Sequence, residues 1–393
     1  MLNKDLLPQQ AEDPPMLTRR AALARGAAAV GSFSAVGMGA TRAFGSPTSE
    51  LSPVVLSQIT EARKVSKFVP PGPAFDASKA KGKTVFYVSN TFAVSIVQTL
   101  YNGVKEAAAA AGVETLSFDA KGQPDLMLVG MKQAINQKPD LILVESIENT
   151  LINQQIREAR KAGIKVVMLN EKWIDGPGLE PVDGRVAFDY VGGARMEANY
   201  VLADSGGKNI NLVVFQAASH RHDDMSAEIT KQINEYAIGG AKLEVKVLPF
   251  SDFATRLPTL TRSMLTADPT INYMVTTIDG MSLYVIPAIH QAGAQDRVKL
   301  ATYNGTPSVL GYLNRKDVVI ADTGGANTWE GWTDMDQALR ILTGNPPVPG
   351  ESTPPNRAFD RTNIGSINLE QPEEVWYDTD AAKSQFRKLW GLG

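Results

Sequence analysis

From residue 83 onward, short apolar runs alternate with longer amphipathic stretches, and this alternation constrains the fold more than any other feature. The apolar run Thr84–Ser89 is followed by an amphipathic stretch over 94–111 and then by a second predicted strand, Glu114–Asp119. Runs of five or six apolar residues suit buried strands, and the amphipathic stretches suit helices that cover them. The sequence therefore predicts an α/β fold of doubly wound parallel sheets with helices on both faces.

The alternation pauses at the apolar segment 184–188 and then starts again, which predicts two lobes in succession. Gly112 and Gly163 follow two of the predicted helices and indicate where those helices end. The predicted strands are Thr84–Ser89, Glu114–Asp119, Leu141–Val144 and Lys165–Leu169 in the first lobe, and Ile210–Phe215, Leu243–Leu248, Tyr273–Thr277, Val298–Thr302 and Val318–Ala321 in the second.

Residues 1–45 have the layout of an export signal. Thr18 leads into the pair Arg19-Arg20, and a weakly hydrophobic stretch rich in Ala, Gly and Ser follows from Gly26 to Ala40. This layout is similar to a twin-arginine signal, which directs folded proteins across the bacterial inner membrane. A membrane-spanning helix needs about 20 strongly apolar residues, so an uncleaved anchor is the less favoured reading. We expect a periplasmic protein without a stable membrane anchor.

Composition excludes several classes of function. The chain has 39 Lys and Arg against 42 Asp and Glu, too balanced for a nucleic-acid binder that relies on counterion release. It has no cysteine, which excludes disulfides, thiolate nucleophiles, cysteine-ligated metals and a lipid tether on cysteine. No GxSxG, HExxH or Walker motif occurs. We therefore expect neither an enzyme nor a cofactor.

The residues that follow the predicted strands are mostly planar amides, carboxylates and aromatics. Ligands of open parallel sheets bind beyond the carboxyl ends of the strands. Amide and carboxylate groups can bind adjacent hydroxyls, while aromatic rings pack against the apolar face of a sugar ring. The mixture suits a neutral polyhydroxy ligand. Polar residues at strand ends are also common turn formers, and we interpret Asp119 and Ser146 in that way.

Several stretches resemble the ribose-binding-protein family of periplasmic sugar receptors, which serve ABC importers. They are "VFYVSNTFAVSIVQTLYNGVKEAAAAAG", "QKPDLILVES", "AGIKVVMLNEKW", "FDYVGGARMEANY" and "LATYNGTPSVLGYLNRKDVVIADTGG". The resemblance implies a monomeric protein that captures a sugar or polyol between two closing lobes and delivers it to the transmembrane subunits of a permease. It also implies three crossover strands as a hinge, near Val186–Asp189, Asp322–Gly325 and 345–358.

With these crossovers, the expected organisation is an export signal over 1–45 and an N-terminal extension over 46–82. The extension contains one predicted helix, Pro53 to Lys67, and a linker at Pro70–Pro73. The first lobe is then expected to comprise 83–187 plus 324–350, and the second lobe 188–323 plus 351–393.

The resemblance also carries ligand contacts onto this sequence, position by position. The family's Asp-Arg pair after the fourth strand falls on Asn170-Glu171, so a guanidinium is missing there. The resemblance therefore implies a sugar or polyol receptor and not specifically a ribose receptor. Arg221 lies near the position of the arginine that the second lobe contributes. The predicted ligand-binding residues are Asn90, Phe92, Asn170, Glu171, Trp173, His220, Arg221, Asp224, Phe253, Asp279, Asn304 and Asp322.

Three alternatives stay open at this stage. His220 and His222 beside Asp223 and Asp224 could bind a metal or a charged ligand, or the two acids could simply occupy the first turn of a helix. A periplasmic sensor subunit for a chemoreceptor or histidine kinase would bind the same ligand and differ only in its partner. An exported enzyme is the third and least favoured alternative.

Overall fold

The computed structural model describes residues 50–170, 180–348 and 356–393. Within them the chain forms two β-sheets, and each sheet is the centre of one lobe. The first sheet contains β1 (Thr84–Ser89), β2 (Glu114–Asp119), β3 (Leu141–Glu145), β4 (Lys165–Leu169) and β5 (Gly184–Val186). The second contains β6 (Ile210–Ala217), β7 (Ala241–Leu248), β8 (Tyr273–Thr276), β9 (Lys299–Tyr303), β10 (Val319–Gly324) and β11 (Arg357–Asp360).

The first sheet has the strand order β2-β1-β3-β4-β5, and all of its neighbouring strands run parallel. Strand β3 is buried along its whole length, which is why its sequence is an uninterrupted apolar run until Glu145. The second sheet has the order β11-β10-β9-β8-β6-β7. Only the β10–β11 pair of the two described sheets is antiparallel.

Helices connect the strands and cover both faces of each sheet. Pro124 and Pro307 stand in the first turns of two of them, where the missing N–H of proline breaks no helical hydrogen bond. The helices are α1 (Pro53–Ala62), α2 (Ser95–Ala110), α3 (Pro124–Gln137), α4 (Asn149–Lys161), α5 (Tyr190–Ser205), α6 (His220–Tyr236), α7 (Leu257–Ala267), α8 (Asp279–Gln291), α9 (Pro307–Asn314), α10 (Asn327–Leu342), α11 (Glu373–Tyr377) and α12 (Thr379–Leu389).

Two crossovers between the lobes lie within the described residues. The first leads from β5 into α5, and the second leads from β10 into α10. They pack tightly, because a Cβ atom on Gly325 would lie 2.3 Å from the ring of Phe188. Part of the third expected crossover, around 345–358, lies outside the described residues.

The two parallel-sheet lobes confirm the predicted fold class, and the strand boundaries agree with the predicted ones to within a few residues. Strand β11 overlaps only the end of the crossover strand that was expected around 345–358. It has only four residues and follows no amphipathic stretch, so its partner is set by tertiary contacts rather than by sequence pattern.

The two ends of the described chain differ from the expected organisation. Helix α1 ends at Ala62, and the segment after it is packed rather than a free linker, since the Pro73 carbonyl accepts a hydrogen bond from Arg340. Residues 351–393 were expected in the second lobe. Strand β11 does join the second sheet, but helix α12 packs on the first lobe, where Trp390 stacks on Trp332 of α10. Apolar contacts with α10 hold α12 on the first lobe. A lobe boundary placed at the third crossover therefore assigns α12 to the wrong lobe.

The export signal predicted over 1–45 lies outside the described residues. Among the residues that are described, no helix combines the length and the apolar character needed to cross a membrane.

Candidate functional site

The carboxyl ends of the two sheets face each other across a closed cleft. Helix α6 of the second lobe begins at His220, and its next residue, Arg221, reaches the first lobe. Nη1 of Arg221 donates to Oγ of Ser146, 3.0 Å away, and to the carbonyl oxygen of Asn170. The guanidinium also lies over the ring of Tyr190, 5.3 Å from its centroid. Arg221 therefore joins the ends of β3 and β4 to the first residue of α5.

Two residues of the first lobe turn sharply at this cleft. Ser146 has a φ of 54° and Asn170 a φ of 55°, each directly after a buried strand. A short polar side chain is among the few that tolerate this left-handed conformation. The turn redirects the chain so that the Ser146 hydroxyl and the Asn170 carbonyl both meet Arg221.

Asn170 is buried, and its side-chain oxygen and nitrogen have no hydrogen-bond partner among the described residues. On the second lobe, the Ser219 hydroxyl next to α6 is also buried without such a partner. A buried polar atom without a partner is unfavourable by about 1–3 kcal/mol. A ligand rich in hydroxyl groups can donate to and accept from both side chains.

His222 is a different kind of group from its neighbour His220. Its ring is buried against Phe250, and neither ring nitrogen has a partner among the described residues. Burial and the nearby Arg221 charge hold the pKa of His222 well below its ordinary value, so the ring is neutral. His220 is half exposed at the rim, where its Nδ1 lies 2.9 Å from a carboxylate oxygen of Glu148 in the first lobe.

The two histidines thus occupy separate environments. Within the described ranges, no group of three or more His, Asp or Glu side chains is placed to hold a metal ion.

Three acidic side chains lie buried at the carboxyl end of the second sheet. Asp279 begins α8 and accepts hydrogen bonds from Thr302, 2.9 Å away, and from the backbone and hydroxyl of Thr306, at 2.8 and 2.6 Å. Asp322 accepts from the Gly305 N–H at 2.8 Å. Burial raises the pKa of both carboxyls, and for Asp322 the nearby Asp279 adds to the rise.

The third acid, Glu197 of α5, has no hydrogen-bond partner among the described residues. Burial, with a smaller contribution from Asp279, raises its pKa well above the ordinary value. Asn304 stands beside these acids with a φ of 134°, and its side-chain oxygen accepts the Asp279 N–H at 3.2 Å.

The structure brings only part of the predicted set together at the cleft. Asn170 and Arg221 meet directly, with Asn90 next to them through its hydrogen bond to the Ser146 carbonyl. Asp279, Asn304 and Asp322 form a second group that organises the loops after β8 and β9. Asp224 lies half-buried one turn into α6, and His220 lies at the rim. Glu171 and Trp173 lie outside the described residues.

Two predicted aromatic contacts pack within the lobes. Phe253 is 7% exposed in the hydrophobic core of the second lobe, with its ring centroid 5.2 Å from that of Phe250. Phe92 stacks between Tyr87 and Tyr101, at ring centroid distances of 6.1 and 5.2 Å, on the edge of the first lobe's core. Both rings are covered by residues close to them in the sequence: Tyr101 of α2 packs on Phe92, and Phe250 packs on Phe253.

Sequence reasoning missed Ser146 and Tyr190, which both contact Arg221 at the cleft. Asp119 does form a turn, because its Oδ1 accepts the N–H of Lys121 at 2.8 Å. Ser146 forms a turn as well, and the same geometry points its hydroxyl at Arg221. The position of Ser146 one residue past the apolar run 141–145 was the available signal.

Comparison with known proteins gives the family. The sequence matches the periplasmic binding protein domain family over residues 85–346. A comparison with curated proteins finds no matching sequence.

Solved structures share the fold at low sequence identity. An ABC transporter solute-binding protein of Actinobacillus succinogenes with bound D-allose has a TM-score of 0.65 and 17% identity, covering 72% of this chain and 100% of its own. A solute-binding protein of an ABC transporter from Agrobacterium vitis, with bound allitol, has a TM-score of 0.65 and 20% sequence identity. The match covers 74% of this chain and 100% of that chain. A solute-binding protein of an ABC transporter from Bacillus halodurans, with bound myo-inositol, has a TM-score of 0.63 and 16% sequence identity. The match covers 76% of this chain and 99% of that chain.

Proposed function

Because this chain belongs to the periplasmic binding protein family, we propose that it captures a sugar or polyol between its two lobes and delivers it to the permease of an ABC importer. Binding involves no catalysis and no cofactor in this proposal, and the protein acts as a monomer. Ligand binding favours the closed arrangement of the lobes, which is hinge closure around a solute. The permease then recognises the closed form.

One observation carries the proposal: on both sides of the closed cleft stand buried polar groups that have no hydrogen-bond partner among the described residues. Asn170 presents an amide from the first lobe, and Ser219 presents a hydroxyl from the second. Arg221 and Tyr190 lie between the lobes and add a donor and a flat ring. This set suits hydroxyl groups on a small apolar frame. The solutes bound to the three solved neighbours, D-allose, allitol and myo-inositol, have that chemistry.

A thermal-shift screen against monosaccharides and polyols tests the ligand class. Binding to the native state raises the melting temperature by mass action, so a stabilising solute identifies the class. We expect a hit among neutral polyhydroxy compounds. Stabilisation by a charged solute alone, or by a divalent metal alone, would contradict the proposal.

The site is tested by titration calorimetry with the solute that the screen identifies. Asn170→Ala should weaken binding by about 5- to 150-fold, which corresponds to about 1–3 kcal/mol. Asn136→Ala, an exposed asparagine on α3 of the same lobe, is the matched control and should leave the affinity unchanged. Equal affinities of the two variants would remove Asn170 from the site.

The export route is part of the proposal. The pair Arg19-Arg20 should be required for appearance in the periplasm, so Arg19→Lys with Arg20→Lys should leave the precursor in the cytoplasm. Fractionation of cells that express each form measures this. Unimpaired export of the double variant would argue for another route.

A further inference from the structure

We propose that residues 63–75, here named the strap, tie the two lobes together outside the hinge crossovers and limit how far the cleft opens. The strap precedes residue 85, where the match to the family begins. The proposal concerns the motion of the lobes and can be tested without a solute.

The chain before the strap is fixed to the second lobe. Val55 and Ile59 of α1 are buried in the same hydrophobic cluster as residues of α5. At the end of the helix, Nε and Nη2 of Arg63 lie 2.6 and 2.5 Å from Oδ2 of Asp360 on β11. Tyr200 of α5 donates to the same oxygen at 2.9 Å. Arg63 therefore ends α1 in a fixed contact with the second sheet.

Five residues later the chain is fixed to the first lobe. The ring of Phe68 lies 4.9 Å from that of Phe386 and 6.0 Å from that of Trp329, between centroids. The carbonyl of Pro73 accepts Nη1 of Arg340 at 2.9 Å, and the Phe75 N–H donates to the Leu389 carbonyl at 2.9 Å. These contacts belong to α10 and α12, which pack together on the first lobe.

The distance between the two anchors limits the motion. A chain extends by at most about 3.6 Å per residue, so the five steps from Arg63 to Phe68 span no more than about 18 Å. The segment from Pro70 to Pro73 adds no slack, because it is held by Arg340 and Gly72 packs against Val348. Any opening that separates the anchors further must release one of them.

The lobes are in contact in this structure, with Arg221 bound across the cleft and both anchors occupied. Breaking an anchor is unfavourable, so the strap stabilises arrangements near this one. A population shift toward the closed form raises the apparent affinity for a solute that needs closure. The strap would thus set both the opening range and the affinity.

A longer strap tests this without removing any contact. Insertion of Gly-Ser-Gly-Ser-Gly-Ser between Lys64 and Val65 adds about 20 Å of reach and keeps both anchors. Because the chain has no native cysteine, Gln133→Cys on α3 and Ala227→Cys on α6, both exposed, can carry a spin-label pair across the two lobes. We expect the interlobe distance distribution without solute to shift to longer distances and to broaden.

The matched control is the same six-residue insertion between Gly239 and Gly240, in a turn confined to the second lobe. It should leave the distribution as in the parent protein. If both insertions give the same distribution, the strap does not limit opening and the proposal is wrong.

Point variants give a second, independent measurement. Arg63→Ala and Phe68→Ala each weaken one anchor and should each lengthen the interlobe distance. The lengthening should be smaller than with the insertion, because Val55 and Ile59 still hold α1 and Arg340 still holds Pro73. No shift in either folded single variant would overturn the proposal. Circular dichroism confirms that each variant is folded.

The outcome is independent of the proposed ligand class, since the distances are measured without solute. Where the solute is known, the lengthened strap should weaken its apparent affinity by about three- to tenfold. A distance shift with no solute found in the screen would support the strap and contradict the proposed function.

Discussion

Helices α5 and α10 occupy equivalent places in the two lobes, yet their surroundings differ. Each follows a hinge crossover and packs on the sheet that it enters. In α10, 15 of 16 residues are buried, whereas in α5 the number is 9 of 16. The terminal parts of the chain cause this difference, because Phe68, Phe386 and Trp390 cover the face of α10 that would otherwise meet solvent.

The two helices share one unusual feature. The eighth residue of each is a buried acid, Glu197 in α5 and Asp334 in α10, and neither carboxyl has a hydrogen-bond partner among the described residues. Asp336 of α10 is buried too, but it is bound by Arg340 and by Nε1 of Trp390 at 2.8 and 2.7 Å. Both lobes therefore have a helix after the crossover, and the terminal segments of the chain determine what fraction of that helix is buried.

The largest effect should come from removing the terminal cover of α10. Trp390→Ala deletes a fully buried ring that stacks on Trp332 at 5.3 Å, and it should lower the free energy of unfolding by about 3–5 kcal/mol. Urea denaturation followed by circular dichroism measures the change. The control is Val191→Ala on the exposed side of α5, expected within about 0.5 kcal/mol. Similar losses in both variants would mean that the two helices are equally enclosed.

The next effect concerns the fifth residue of each helix, Gly331 in α10 and Ala194 in α5. A Cβ atom on Gly331 would lie 2.4 Å from the Leu100 carbonyl oxygen of α2, so Gly331→Ala must push two helix backbones apart. We expect a loss of about 2–3 kcal/mol in urea denaturation. Gly280→Ala, where a Cβ atom would meet nothing within 4 Å, should be neutral or slightly stabilising. A neutral Gly331→Ala would disprove the close approach of α2 and α10.

The eighth-position acids should give an effect that depends on pH. Burial raises the pKa of Glu197 and of Asp334 well above the ordinary values, which means that the folded protein favours their protonated forms. Their contribution to stability is complete below the unfolded pKa of about 4 and is lost as pH rises through the folded pKa. Glu197→Gln and Asp334→Asn should therefore raise the melting temperature at pH 8 more than at pH 4.

Asp360 should show the opposite dependence of stability on pH, because its pKa is lowered while those of Glu197 and Asp334 are raised. Although burial acts to raise it, hydrogen bonds from Thr362, Tyr200 and Arg63 lower the pKa of Asp360 overall. Its stabilisation is present above the unfolded pKa and is lost as pH falls through the folded pKa. Asp360→Asn should thus destabilise the protein at pH 7 and have little effect near pH 2. The same pH trend for all three variants would contradict this assignment.

The smallest effect should come from the rim of the cleft. His220→Ala removes a half-exposed contact with Glu148 across the lobes, and such pairs contribute less than about 1 kcal/mol. The interlobe distance distribution at pH 6 should therefore shift only slightly. Lys246→Ala removes an exposed pair with Glu244 within the second lobe and should not shift it. A large shift on losing His220 would give the rim a greater part in closure than the buried contacts of Arg221.

Much of the fold could be predicted from the sequence, because buried parallel strands are continuous apolar runs with a repeating connection. The run 141–144 and the run 165–169 needed no tertiary information to be assigned. Strand β11 and the position of α12 could not be predicted in this way. Short terminal elements find their places through contacts with distant residues, as Trp390 does with Trp332.

The candidate site was predictable in outline only. The ends of strands are where ligands bind in this architecture, and this rule led us to Asn170 and Arg221, which the structure brings into contact. Whether a side chain at such an end faces the cleft, a turn or the core depends on backbone angles and on neighbours. Phe253 became core and Ser146 became a cleft contact for that reason.

By itself, the sequence determined the class of the molecule: two parallel-sheet lobes, no cysteine chemistry, and polar residues gathered after the strands. Local sequence patterns are sufficient for these properties, because the spacing of apolar residues along the chain indicates which segments form buried strands and which form helices. Only the tertiary structure decided that the N-terminal extension contacts both lobes and that Arg221 crosses the cleft. It also decided that the two equivalent acids are buried with no hydrogen-bond partner in the described part of the chain. These properties depend on which residues meet across long separations in the chain, and a linear pattern does not contain that information.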